Sequence, residues 1–164
     1  MPNEPINLVG PPETVLYALF FSQANGLVKK VSSLRASNGN PELIEFLSDY
    51  YVSQAGLTQA QNNEIFQAAA DYESTNAPVD SLAKSLVAGW RQGMRAFSIS
   101  QGAKPASPRS QLRQLDVERN TNLMAARGEL ESELGTDGFY TLEVYVHKTF
   151  GHPKRMFLKT GGNQ

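Results

Sequence analysis

Apolar residues between positions 13 and 36 recur at helical spacing. Leu16, Leu19, Phe20, Leu27, Val31 and Leu34 share one face, which predicts a first helix from Glu13 to Ala36. Ser37-Asn38-Gly39-Asn40 breaks that pattern. Asn40 as N-cap, with Pro41 at the first helical position, opens a second helix to about Gln54. Leu43, Phe46, Leu47, Tyr50 and Tyr51 form its stripe, and Gly56 serves as its C-terminal stop. Thr58-Gln59-Ala60-Gln61 has the spacing of a capping box and starts a third helix bearing Ile65, Ala68, Ala69 and Tyr72.

Asn76-Ala77-Pro78 is expected to interrupt this third helix, with a fourth running from about Asp80 to Ser100. The stretch Gly102 to Pro108 reads as a linker. A long fifth helix then reaches Leu134, Gly135 ends it, and Thr136 caps a sixth that stops near Gly151. No useful length alternates with period two, and even the β-branched and aromatic cluster around Tyr140–Val146 is spaced helically. The expected fold is all-α: a single-domain bundle of five or six helices over residues 13–151. An extended N-terminal arm is expected at 1–12, and a basic, partly loose tail at 152–164.

Composition narrows the chemistry. With 164 residues the chain is long enough for one core. No apolar run approaches the roughly 20 residues that cross a bilayer. It has no cysteine and two histidines, which excludes disulfides, thiolate zinc sites, iron–sulfur clusters, a Cys nucleophile and a three-histidine metal centre. The first dozen residues contain Glu4 and no Lys or Arg, so they do not form a signal-peptide n-region. The expected location is periplasmic or secreted if the sequence is a mature form, and otherwise cytoplasmic.

The formal net charge of −1 argues against nucleic acid as a partner. That average conceals an asymmetry. Residues 1–80 hold three basic side chains against nine acidic ones, whereas residues 81–164 hold twelve against seven. The halves either dock on one another, or a basic surface near the C-terminus (Lys148, Lys154, Arg155, Lys159) meets an anionic partner.

Arg119 falls inside the leucine stripe of the fifth helix, between Leu115 and Leu123. An arginine there needs a carboxylate from residues 40–80, with Asp49, Glu64 and Asp71 as candidates, or else it grips an anionic ligand. Gly89-x-x-x-Gly93 provides either close helix packing or room for a ligand beside Trp90, Met94 and Phe97. Trp90, Phe97 and Arg119 are therefore the ligand-binding candidates. Tyr17, Phe21 and Val28 form a second apolar strip on the first helix and are the candidates for an interface with a protein partner or a second copy. Glu143 and His147 are four apart and could share a metal, but no Glu-x-x-His pair accompanies them, so no metal or other cofactor is expected. No Gly-x-Ser-x-Gly, Gly-rich loop or paired-carboxylate signature is present, so no catalytic residues are assigned and the chain is read as non-enzymatic.

Gly56-Leu57-Thr58-Gln59-Ala60-Gln61, followed by Ile65-Phe66, resembles the Leu-Thr-x-x-Gln helix start of small periplasmic helical stress proteins of the Spy/CpxP-like group. Together with Leu134-Gly135 and Phe139, it is also similar to small exported bacterial helical proteins of unknown function. The resemblance implies an envelope location and binding without catalysis. The chain lacks that group's Met-rich, metal-ligand-rich and basic composition, so chaperone and metal-sensing roles do not carry over. The expected function is that of an interaction or accessory protein, binding a partner through the first helix and the basic C-terminal segment. The alternative is a small-molecule binding module around Trp90, Phe97 and Arg119.

Overall fold

The computed structural model describes residues 12–151; the expected N-terminal arm up to residue 11 and the tail from residue 152 lie outside them. The fold is all-α. Five helices follow in order: α1 (Glu13–Ala36), α2 (Pro41–Ser48), α3 (Tyr50–Ala55), α4 (Gln59–Ser100) and α5 (Arg109–Phe150). The long α4 and α5 form an antiparallel hairpin. Its register is marked by Asn122 Nδ2 donating to Asn76 Oδ1 at 3.0 Å and by the Arg119–Asp80 ion pair. The first helix packs on both, and α2 and α3 close the end of the bundle.

The helix starts follow local chemistry. Asn40 Oδ1 accepts from the Glu42 amide at 2.9 Å, with Pro41 leading α2. Thr58 and Gln61 complete the reciprocal capping box at 3.2 and 3.0 Å. Gly56 ends α3 at φ 75°, in the left-handed region that a side chain disfavours.

Two boundaries differ from expectation and a third is met. The second helix splits at Asp49 because buried Asn62 reaches in from α4. Its Nδ2 donates to the Ser48 carbonyl at 2.7 Å and its Oδ1 accepts from the Tyr51 amide at 3.0 Å, which satisfies the groups freed by the break. No interruption occurs at Pro78, and α4 runs through it. Buried Asn76 and Val79 hold that turn against its neighbours, so packing outweighs the hydrogen bond that proline removes. At Gly135 the expected break is present, but as one non-helical residue (φ 72°, ψ 174°) between two helical stretches of α5.

The core is aromatic and gathers around α1. Leu16, Tyr17, Phe20, Phe21 and Ala24 meet Tyr51, Ile65, Phe139, Leu142 and Val146, all of them buried. Gln23 Oε1 accepts from both the Tyr51 and Tyr145 hydroxyls, at 3.1 and 3.0 Å, so two tyrosines share one acceptor. The buried face of α1 is rotated from the expected one. Leu19 is exposed, while Tyr17 and Phe21 are fully enclosed by the chain itself. These two are therefore core residues and not an interface strip, and Val28 is half-buried beside them. The helix is wrapped by α4 and α5 on two sides, which accounts for its wide apolar arc.

Candidate functional site

From Asp80 onward α4 and α5 leave the bundle. No residue from 80 to 114 is buried, so the end of the hairpin is an arm of two helices supported only by each other. At 1.5 Å per residue the Asp80–Ser100 part of α4 extends for about 30 Å. Residues 81–115 carry six of the chain's 15 basic side chains (Lys84, Arg91, Arg95, Lys104, Arg109, Arg113) and none of its 16 acidic ones. All six are exposed, and none pairs with a carboxylate among the described residues. Lys84, Arg91 and Arg95 follow each other at seven and four residues, which aligns them along one side of α4.

A hollow of about 350 Å³ opens at the base of the hairpin turn. Arg91, Arg109 and Arg113 line it together with Trp90, Val87 and Leu112, and Asp116, a partner of Arg119, closes one side. The linker folds back along α4, where Pro105 lies 3.1 Å from the place a Cβ on Gly93 would take. Gly93 thus admits the linker rather than another helix, and Gly89 approaches nothing.

The expected ligand set is not assembled. Trp90 lines this hollow and Phe97 is half-buried farther along the arm, while Arg119 lines a different hollow beside α1, with Asn25, Lys29 and Glu73. Ten residues of helix, about 15 Å, separate Trp90 from Asp80, the partner of Arg119. Arg119 does find a carboxylate from residues 40–80, but it is Asp80 and not Asp49, Glu64 or Asp71, with Asp116 as a second partner at 3.4 Å. The guanidinium is also 38% exposed, because α1 does not cover this position, so its stripe does not place it in the core. Arg119→Met should accordingly change stability by about 0–1 kcal/mol, the range of exposed ion pairs, as read by urea unfolding.

A second cluster lies where the start of α1 meets α5. Glu13, the first residue of α1, meets Glu143, His147 and Arg127 of α5. His147 Nε2 is 3.0 Å from Glu13 Oε1, Arg127 Nη2 donates to Glu143 Oε1 at 2.5 Å, and Arg127 Nε is 3.7 Å from Glu13 Oε2. The Arg127 guanidinium also covers the rings of Tyr17 and Phe139, at 4.9 and 5.0 Å. Burial pushes the Tyr17 hydroxyl well above the usual tyrosine range, and the charge of Glu143 adds to it while Arg127 opposes it. Burial alone would lower Arg127, but Tyr17, Glu143 and Glu13 outweigh it and hold the guanidinium charged more firmly than usual.

Glu13 and Arg127 were not legible as site residues, since neither stands in a motif and only tertiary packing brings them to Glu143 and His147. The basic arm had a visible signal, the absence of any acid from 81 to 115, but an average over the C-terminal half assigned that charge to the tail. Of the tail residues, Lys154, Arg155 and Lys159 lie outside the described residues, and Lys148 is exposed. No helix among the described residues is long and apolar enough to cross a membrane. No family model, no curated protein and no solved structure matches the chain.

Proposed function

We propose that this chain is a non-enzymatic docking protein whose α4–α5 arm binds an acidic segment of a partner protein. The observation that carries the reading is the six unpaired basic side chains and no acidic one over residues 81–115. Exposed like charges repel within the arm and are relieved by an anionic partner. Apolar groups lie among them: Ile99 is 87% exposed, and Trp90 is half-buried in the arginine-lined hollow. Tryptophan and arginine are the side chains that most often dominate protein–protein contacts. An extended polyanion fits less well, because the rest of the chain holds nine basic side chains against all 16 acidic ones and repels it.

Trp90 is the single tryptophan of the chain, so its emission reports on the arm alone. Titration with polyglutamate should shift that emission saturably, and added salt should weaken the effect. The combined variant R91E/R109E/R113E should abolish the response and keep its helical circular dichroism. A response to duplex DNA or anionic vesicles but not to polyglutamate would sink the assignment of partner class. Silence toward all three probes would sink the docking role itself.

A further inference from the structure

We infer that Glu13, Glu143 and His147 form a binding site for a first-row divalent cation, zinc being the best match, that ties the start of α1 to the C-terminal part of α5. The spacing of Glu143 and His147 puts both on one face of α5, and Glu13 arrives across the helix interface. One ligand atom from each lies within 4.8 Å of the other two. Glu13 Oε1 and His147 Nε2, at 3.0 Å, are already as close as two ligands of one zinc ion stand. Glu13 and His147 are 41% and 50% exposed, so their side chains can rotate to close the wider gap.

An independent observation points to the same place. Among the described residues the buried Tyr17 hydroxyl lacks a hydrogen-bond partner, while Glu13 Oε2 and Arg127 Nε, also without one, face each other at 3.7 Å. Tyr17 is fully buried, so its hydroxyl has no recourse to bulk solvent. A cation on three protein ligands keeps a fourth position for water, and such a water is a partner within the chemistry of the Tyr17 hydroxyl. Arg127 donates to Glu143 Oε1 and stands 3.7 Å from Glu13 Oε2, so it orients both carboxylates as outer hydrogen bonds orient metal ligands. Two carboxylates stand against one guanidinium, so a divalent cation is attracted despite Arg127. Imidazole with carboxylate suits zinc, whereas magnesium prefers oxygen ligands alone.

Calorimetric titration of the metal-stripped full chain with Zn²⁺ alone tests the site, with Mg²⁺ as the control cation. One Zn²⁺ per chain is expected, with no Mg²⁺ binding of similar strength. His147→Ala and Glu13→Gln should each weaken Zn²⁺ binding at least about tenfold. Both positions are half-exposed, and helical circular dichroism confirms that each variant is folded. His152→Ala, which removes the chain's other histidine, should bind Zn²⁺ as the unaltered chain does. A purely ionic latch predicts variants that lose stability with no saturable Zn²⁺ binding in any form, and that result overturns the site. So does wild-type affinity in either ligand variant, or binding that follows His152 and not His147.

Discussion

Asn62 shows how much one polar side chain can decide. It is fully buried and its amide spans two backbone groups, the Ser48 carbonyl and the Tyr51 amide, exposed by the break between α2 and α3. Removing it leaves both groups buried without partners, each unfavourable by roughly 1–3 kcal/mol. Asn62→Ala should therefore destabilise the fold by about 2–4 kcal/mol in urea unfolding. A loss under about 1 kcal/mol would mean that water replaces the clamp. Glu133 acts in the opposite sense. Partial burial and the neighbouring carboxylates Glu64, Glu129 and Asp71 raise its pKa above the ordinary 4.5. The folded state then holds the Glu133 proton more tightly than the unfolded chain. Its contribution favours folding at low pH and is lost as pH climbs from 4.5 through the raised folded value. Glu133→Gln should remove that decline, raising the thermal midpoint at neutral pH more than at about pH 4. An equal effect at both pH values would show that the Glu133 proton is not held more tightly in the folded state.

Among the elements, α4 carries the clearest conflict between local preference and tertiary context. Proline inside a helix removes one hydrogen bond and crowds the preceding turn, a loss of about 3 kcal/mol. At Pro78 the loss is tolerated because Asn76 and Val79, on either side, are held in the interface. Pro78→Ala should then stabilise the protein by about 2–3 kcal/mol without altering its helix content. A destabilised variant would show that a bend at Pro78 is needed for the hairpin to pack. Gly135 is the converse case. Its left-handed backbone, at φ 72°, makes the break in α5 a property of the residue itself, which is why the pattern of the chain revealed it.

For the whole molecule, the division between bundle and arm predicts uneven stability. The body has a continuous core around α1, while no residue from 80 to 114 is fully buried. Native-state hydrogen exchange should find the amides of 82–98 and 110–114 opening at much lower free energy than those of 62–72 and 138–146. Equal protection at every protein concentration would refute the division between bundle and arm.

Much of the fold was legible along the chain because its determinants are local. Capping residues, Pro41, Gly56 and Gly135 act within one turn, and the 3.6-residue period marks a helix wherever it ends up. The all-α class and the span of α1 followed from these signals alone. What the tertiary structure decided depends on which helix covers which face. A stripe shows that a face is apolar but not what shields it, so Tyr17 and Phe21 read as surface when they are core, and Arg119 read as core when it is half-exposed. The split at Asp49 needed Asn62 from another helix, and the passage through Pro78 needed α5. Both candidate sites have the same origin. Glu13 stands 130 residues from Glu143 in sequence and meets it only because α1 packs on α5. The six basic residues of 81–115 became an unpartnered surface only when α1 proved too short to cover the far half of the hairpin.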